Sequence, residues 1–358
     1  MNNPWSSCHL VILSSCHSHF KMEREFMFQQ LDSIQLKSGE TVAAGVVRGP
    51  DLAWSQRLQK LLWHKGDPWN WQNAQVLESD LGLDVNFYIL HRDGDPFANI
   101  MTIERAGVGL FGHVWTQPAD RQQGASASLM RLQMQDFAAR GGQALFLGTE
   151  YASVAYKMYA TFGFASIEAA SGYMAYYTQS QTAFEAAYFV PGPVTIEPLA
   201  WRHWPAAASL FLGDFPGLVR CAPLALIGRA SAEGPLLPAL IDAAQRQAEA
   251  QPPAVLALCN QATTAVMGLA AWAWHPIWPD VCLVDCYCHP HAWAHAAQLL
   301  ATLQWPGAAR TLVYIDRGNE AKATLFAQAG FKPVATLPQW LAADHAQKEW
   351  VDVLVWQK

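Results

Sequence analysis

The feature that most limits the fold of this chain is a repeat in the order of its predicted elements. In each half, a strand and a helix precede several strands, and a further helix, a short strand and a short helix follow them. Gly163-Phe164 ends the short helix of the first half, and Gly330-Phe331 ends its counterpart, since glycine favours the left-handed conformation that closes a helix. The 358 residues exceed one usual domain, so we interpret the chain as two diverged copies of one unit.

The boundaries of the two copies follow from turn-forming residues. Residues 181–193 contain Pro191-Gly192-Pro193 and are predicted to be a linker. The first copy is then residues 28–180, and the second is residues 194–358. Residues 1–27 are predicted to be a disordered leader or a mis-assigned start, because their apolar run is too short for a signal peptide.

Composition excludes several classes of protein. Hydrophobic residues make up 52% of the chain and charged residues 15%, which excludes a disordered protein. The longest apolar runs stop near ten residues, whereas a membrane-spanning helix needs about 20. The net charge of −6 argues against a nucleic-acid partner. The seven cysteines have irregular spacing, so we expect reduced thiols in a cytoplasmic protein.

A polar loop between a predicted strand and a predicted helix is the strongest candidate for a binding site. The strand at residues 108–116 is followed by Pro118, Arg121 and Gly124, and then by a helix. The N–H groups at the start of a helix favour an anion. Gly124 has no Cβ, so a phosphate can approach the backbone closely, and Arg121 supplies charge for a second oxygen. The same pattern is also common as a solvated helix cap, so the loop alone leaves both interpretations open.

The residues that follow this loop make the pattern more specific. Tyr159 comes 35 residues after Gly124 and four before Gly163-Phe164. The order of strand, proline, Arg-x-x-Gly, helix, strand and Tyr-x-x-x-Gly-Phe resembles the GNAT acetyltransferase superfamily over residues 41–178. The resemblance implies an α/β (α+β) protein of two tandem GNAT-like domains, each a mostly antiparallel mixed sheet flanked by helices. It also implies a split between the strands at residues 108–116 and 144–149, where acetyl-CoA lies as co-substrate.

The resemblance assigns roles to individual residues. Those assigned to acetyl-CoA are Val114, Trp115, Thr116, Arg121, Gln122, Gln123, Gly124, Ala125, Ser126 and Ala127. The N–H groups of residues 114–116 are expected to meet charge developing on the acetyl oxygen. Tyr159 is expected to offer its hydroxyl to the leaving thiolate, although a helix aromatic packed on the sheet would look the same. Ser126 and Ala152 stand where the family usually has Gly or Ala, and Asn, respectively.

The sequence leaves the base and the acceptor amine open. Glu104, His113 and Glu150 stand near strand ends that face the presumed split, and each is a candidate for removing the proton of the amine. In this superfamily the loop between the first two helices recognises the substrate. Here that loop contains Trp63, Trp69 and Trp71, which are predicted to form an aromatic wall for an apolar or cationic amine. A helix corner packed with tryptophan is the alternative.

The second copy is predicted to keep the fold without the chemistry. Neither Arg nor Gly occurs between Pro290 and Leu303, and Phe326 takes the place of the tyrosine. Cys286, Cys288, His291 and His295 have a spacing that zinc ligands can have. Because buried cysteines commonly behave as small apolar residues, we predict no metal.

We therefore expect an acetyl-CoA-dependent N-acetyltransferase. Its partner would be a primary amine of a small molecule or peptide, which attacks directly in a ternary complex, with no nucleic acid and no membrane involved. The alternative is a non-catalytic acyl-CoA-binding or protein-interaction module. Aminoacyl transfer from charged tRNA, by a Fem-like enzyme with a doubled fold, is disfavoured by the acidic net charge. The oligomeric state and the identity of the amine stay open.

Overall fold

The computed structural model describes residues 28–358, and the prediction for residues 1–27 lies outside them. The described chain forms two large mixed sheets of eight and seven strands, together with a two-stranded ribbon. Helices flank both large sheets, so the predicted α/β fold with two mostly antiparallel mixed sheets is confirmed. The strands of the first sheet end at Tyr177, and those of the second begin at Val194. The domain boundaries at residues 180 and 194 stay a prediction.

The first sheet carries the predicted strands and one that sequence patterns missed. Its strands are β1 (Phe28–Gln35), β2 (Thr41–Gly49), β3 (Asp84–Arg92), β4 (Asp95–Arg105), β5 (Val108–Thr116), β6 (Ala144–Gly148), β7 (Ala165–Ser166) and β8 (Tyr173–Tyr177). Its helices are α1 (Leu52–Leu62), α2 (Trp69–Glu78), α3 (Ala125–Ala139) and α4 (Val154–Thr161). Asp51 caps α1, because its carboxylate accepts hydrogen bonds from the N–H groups of Ala53 and Trp54 at 2.9 and 3.1 Å.

The first sheet splits along one strand pair. Its order is β1-β2-β3-β4-β5-β6-β8-β7, and the pair β5–β6 is parallel while the other pairs are antiparallel. β5 and β6 pair only from Val108↔Ala144 to Leu110↔Phe146. Beyond Leu110, β5 continues to Thr116 and pairs with β4 alone among the described strands. The carboxyl ends of β5 and β6 therefore separate, as the family resemblance implies.

The second sheet repeats this arrangement. Its strands are β9 (Val194–Pro198), β12 (Val255–Asn260), β13 (Val266–Trp274), β14 (Val281–Cys288), β15 (Arg310–Asp316), β16 (Lys332–Ala342) and β17 (Trp350–Gln357), and the ribbon is β10 (Val219–Cys221) with β11 (Leu226–Ile227). The remaining helices are α5 (Gln181–Tyr188), α6 (His203–Leu212), α7 (Glu233–Ala248), α8 (Ala296–Thr302) and α9 (Glu320–Gln328). β14 and β15 are parallel and pair over three residues, from Val281↔Arg310 to Leu283↔Leu312.

One hydrophobic core joins the two domains. It runs from Leu58 and Met101 in the first domain to Phe211 and Leu237 in the second, and α6 lies against β4 and β5. The segment predicted as a linker begins with α5, whose Phe184 is buried in this core. Burial of so much apolar surface between domains is consistent with the low content of charged residues. No helix of the described residues is long and apolar enough to cross a membrane.

The two faces of the first sheet have different coverings. One face packs against α3 and α4, through a core that includes Phe111, Leu129 and Tyr159. The opposite face packs against α1, α2 and the second domain, through the joint core that includes Leu110. The split between β5 and β6 therefore opens on two sides. One side is the face that packs against α3 and α4, and the other is the face that the second domain covers.

Candidate functional site

The loop between β5 and α3 presents a row of N–H groups. A short turn at Pro118–Asp120 follows β5, and Gln122 and Gly124 adopt left-handed backbone angles, with φ of 65° and 84°. α3 begins at Ala125 without a side-chain cap. The N–H groups of residues 122–127 donate to no partner within the described part of the chain. A helix start with unpaired N–H groups is suited to binding an anion.

Gly124 leaves the space in front of these N–H groups free. The nearest atoms to a Cβ placed there would be in the aliphatic stem of Lys37, at 3.9 Å. Lys37 comes from the β1–β2 turn, and its N–H donates to the carbonyl oxygen of Gln123 at 3.1 Å. Its exposed ammonium group adds positive charge beside the loop. Sequence reasoning missed Lys37 because it lies 87 positions before Gly124.

Arg121 and Ser126 tie the loop to the end of β5. The Arg121 Nε donates to the carbonyl oxygen of Thr116 at 3.1 Å, and its guanidinium lies 4.6 Å from the centre of the Trp115 ring. The hydroxyls of Ser126 and Thr116 are 3.0 Å apart. Arg121 therefore lies beside the strand end, and Ser126 fixes the first turn of α3 where a smaller residue could not.

Two of the three predicted strand N–H groups face the split. The N–H of Gln117 donates to Phe97 in β4 at 2.8 Å. Because successive N–H groups along a strand alternate in direction, those of Thr116 and Val114 point away from β4, toward the split. The same alternation turns the N–H of Trp115 to β4.

Tyr159 lies on α4, on the α3/α4 face of the sheet. Its ring is buried edge-on to Phe111, with 5.3 Å between the ring centres. Its hydroxyl has no hydrogen-bond partner among residues 28–358. Burial raises the pKa of Tyr159 to about 12, so the hydroxyl keeps its proton near neutral pH and is available as a hydrogen-bond donor.

The two candidate glutamate bases lie in different environments. Glu104 is fully buried near the β4–β5 turn, at the opposite end of β5 from the loop. Both of its oxygens accept from Arg140 at 2.9 Å, and Thr102 donates to it at 2.6 Å. This carboxylate is held in a buried ion pair with Arg140, so it is not free to accept a proton from an amine. Glu150 follows β6 and is exposed.

His113 lies at a bulge in β5. The pairing register with β4 shifts between Asn99 and Met101, and His113 has a φ of 51°. The side chain is buried, and neither ring nitrogen has a partner among the described residues. Burial, assisted by the charges of Lys65 and His64, lowers the pKa of His113 to about 3, so the imidazole is neutral.

The three predicted substrate tryptophans do not form one wall. Trp63 is exposed. Trp69 lies edge-to-face with His113, at 5.7 Å between ring centres, and is the one of the three that contacts the bulge. Trp71 stacks on Trp201 of the second domain, at 5.1 Å. The segment predicted as a loop includes the first turn of α2. Its three indoles lie in three different environments.

A carboxylate from the second domain also reaches β5. Glu233 is the first residue of α7, and its Oε1 lies 3.6 Å from the position that a Cβ on Gly112 would occupy. Burial raises the pKa of Glu233 to about 7, against the opposing charge of Lys65. No sequence pattern connects Glu233 with Gly112, because the two residues belong to different copies.

In the second domain, the corresponding split is filled by the chain itself. The ribbon strand β10 contacts both β14 and β15. The N–H of Val219 donates to Asp316 at 3.0 Å, and that of Ala222 donates to Asp285 at 2.8 Å. Lys322 from α9 holds the same segment, since its Nζ lies 2.6 Å from both the Val219 carbonyl oxygen and Asp285.

The four residues with zinc-like spacing do not converge on one point within the described residues. Cys286 and Cys288 are fully buried, and His291 Nδ1 lies 3.0 Å from the carbonyl oxygen of Phe189. Within the described part of the chain, potential ligand atoms converge at Glu197, His203 and Cys259. Arg202 pairs with that glutamate, which disfavours a cation there.

Comparisons with known proteins give similar solved structures. No family model matches the sequence, and no curated protein matches it. An N-acetyltransferase of Staphylococcus aureus aligns with 18% identity and a TM-score of 0.32 over 47% of this chain and 98% of its own. A ribosomal-protein-alanine N-acetyltransferase of Brucella melitensis aligns with 19% identity and a TM-score of 0.34 over 46% and 98%. A Thermoplasma acidophilum N-acetyltransferase in complex with coenzyme A aligns with 13% identity and a TM-score of 0.30 over 37% and 98%.

Proposed function

We propose that the first domain transfers an acetyl group from acetyl-CoA to a primary amine of a small molecule or peptide. The amine attacks directly, in a ternary complex. The observation that carries this proposal is the placement of unpaired N–H groups at residues 122–127 beside the split between β5 and β6. A pyrophosphate and an extended thioester arm need these two features next to each other.

The residues at this site fit acetyl-CoA. The N–H groups of the loop and the cations Lys37 and Arg121 are suited to a pyrophosphate. The open space at Gly124 admits its oxygens, and the unpaired edge of β5 can bond to the amide groups of the pantetheine arm. Acetyl-CoA supplies an activated carbonyl carbon, and the remaining chemistry belongs to side chains and N–H groups of the protein.

The transfer needs a donor for the acetyl oxygen and a proton for the departing sulfur. The N–H of Thr116, or of Val114, is positioned to stabilise the negative charge on the oxygen. One such donor contributes about 3–4 kcal/mol in comparable sites. Tyr159 keeps its proton at neutral pH and lies on the face of the sheet that carries α3, so it can protonate the thiolate.

Replacing Tyr159 with phenylalanine tests the catalytic part of this proposal. We expect kcat for transfer to fall about 100-fold, because a positioned acid typically contributes 10²–10⁴-fold. The Kd of acetyl-CoA should change less than about twofold, since a single hydroxyl with no partner is lost. The measurement is thiol release from acetyl-CoA with a panel of primary amines, together with a binding titration.

Tyr176→Phe is the matched control. Tyr176 lies on β8 and also contacts Phe164, at 5.6 Å between ring centres, so the loss of its hydroxyl should leave turnover unchanged. Binding of acetyl-CoA without turnover on any amine would favour a non-catalytic acyl-CoA-binding module. Absence of binding would contradict both functions.

A further inference from the structure

We propose that the second domain completes the amine site of the first, and that Glu233 is the group that takes the proton of the acceptor amine. This inference rests on the proposed function and assigns the base that the sequence left open. It also gives the second domain a role in the reaction, although its own split is filled by the chain.

The two faces of β5 divide the site. Phe111 and Val114 pack on the face of α3 and α4, where the loop and Tyr159 lie. Leu110 and Trp115 pack on the opposite face, which the second domain covers. If the thioester enters from the first face, the amine must approach the split from the second.

The bulge in β5 turns two consecutive residues to the second face. His113 lies against Trp69 there, and Gly112 lies beside Glu233. The left-handed backbone of His113 and the register shift break the usual alternation of the strand. Glu233 Oε1 lies 3.6 Å from the position that a Cβ on residue 112 would occupy, so the carboxylate is within van der Waals range of the strand. Val114 lies two residues further along β5, just past this bulge.

The surroundings of Glu233 suit a base. Its carboxylate makes no ion pair within 4.0 Å and accepts no hydrogen bond in the described part of the chain. The indole of Trp204 in α6 donates to the Glu233 carbonyl oxygen at 2.8 Å, which fixes the start of α7. The buried, unpartnered imidazole of His113 is a second polar group on this face that lacks a protein partner.

The charged and titratable groups near Glu233 set its pKa. Burial raises the pKa to about 7, and Lys65 lowers it. Burial lowers the pKa of Lys65, and Glu233 opposes that change. His113 is neutral, and burial also lowers the pKa of His64, assisted by Lys65 and Arg121. Lys65 is therefore the cation that acts on this carboxylate, and Glu233 changes from acid to base near neutral pH.

The reaction balances with this assignment. The acceptor ammonium gives one proton to Glu233, and the nitrogen lone pair forms a bond with the acetyl carbon. The carbon–sulfur bond breaks, and the sulfur keeps its electron pair. Tyr159 gives its proton to the thiolate, and the second proton of the nitrogen passes through water to the Tyr159 oxygen, which restores the hydroxyl. Glu233 releases the first proton to water.

The test compares pH profiles of full-length variants on an amine that the wild type acetylates. In the wild type, kcat/KM should rise tenfold per pH unit below about 7 and level off above it, which gives the pH profile a limb near 7. Titration of the acceptor amine adds a separate limb to the profile. Glu233→Gln should lower kcat/KM about 100-fold and remove the limb near 7, while the Kd of acetyl-CoA stays within about twofold. Glu249→Gln, at the exposed C-terminal end of α7, should match the wild type.

Lys65→Met keeps the inference testable if Glu233→Gln fails to fold. Because Lys65 lowers the pKa of Glu233, its removal should move the limb to higher pH. A limb that stays in place in Lys65→Met, or that survives in Glu233→Gln, overturns the assignment. A parallel loss of acetyl-CoA binding in Glu233→Gln also overturns it, since the role would then be structural. A wild type that acetylates no amine overturns the proposed function itself.

Discussion

Replacing Lys322 with methionine should lower the free energy of unfolding by about 3–5 kcal/mol, the usual cost of leaving a buried charge unpaired. Lys322 and Asp285 are both fully buried and lie 2.6 Å apart. The ammonium also holds the carbonyl oxygen of Val219, in the segment that fills the split of the second domain. Chemical denaturation followed by tryptophan fluorescence measures the change.

The deficit of this variant should depend on pH. Burial raises the pKa of Asp285 to about 6, and Lys322 lowers it. A carboxyl whose folded pKa is raised contributes stability that is present at low pH and is lost as pH rises through the folded pKa. Methionine raises the pKa of Asp285 further, so the variant should lie furthest below the wild type near pH 8 and approach it toward pH 5.

Two further variants separate the ion pair from simple packing. Lys332→Met removes an exposed lysine and should change stability by less than about 0.5 kcal/mol. Asp285→Asn combined with Lys322→Met removes both charges, so it should regain a large part of the loss. A deficit below about 1 kcal/mol in Lys322→Met at pH 8 would contradict the buried ion pair.

Replacing Gly124 with tryptophan should weaken binding of acetyl-CoA by about 100-fold or more. The indole would occupy the space in front of the N–H groups of residues 122–127. Hydrogen bonds to charged groups contribute about 1.5–3 kcal/mol each, and the loss of two of them exceeds a 100-fold change in Kd. A binding titration with acetyl-CoA measures the effect.

Gly141→Trp is the control for backbone strain. Gly141 lies just beyond the other end of α3, has a φ of 77°, and a Cβ there meets no atom within 4 Å. Both substitutions place a side chain in the left-handed region, which costs about 1–2 kcal/mol of stability. Only Gly124→Trp should weaken acetyl-CoA binding. Equal affinities in the two variants would show that the loop does not hold the pyrophosphate.

Sequence patterns predicted the strands and helices that have strong local signals. The strand predicted at residues 108–116 is β5, and the helix predicted after Gly124 is α3. β1 was missed because its sequence, FQQLDSIQ, is mostly polar and forms the edge of the sheet. α7 was missed because Gly234, Pro235 and Pro238 lie within its first two turns, and such residues are typical of loops.

In the candidate site, too, the local features could be predicted and the contacts between distant segments could not. The loop at residues 121–127 is local, so its strand, glycine and helix start could be predicted from consecutive residues. The sequence left Glu104 open as a candidate base, because its ion-pair partner Arg140 lies 36 positions away and no local pattern connects the two. Glu233 and Lys37 reach the site through tertiary contacts between distant segments. Spacing along the chain carries no signal for such contacts, which the packing of the two domains creates.

Calorimetric titration of acetyl-CoA into the full-length protein tests the central claim most directly. The first domain offers an open split with unpaired N–H groups beside it, while β10 fills the split of the second domain. We therefore predict one bound acetyl-CoA per chain, with binding lost in Gly124→Trp and retained in Lys322→Met wherever that variant is folded. Two equivalent sites, no binding, or a single site unaffected by Gly124→Trp would contradict this account.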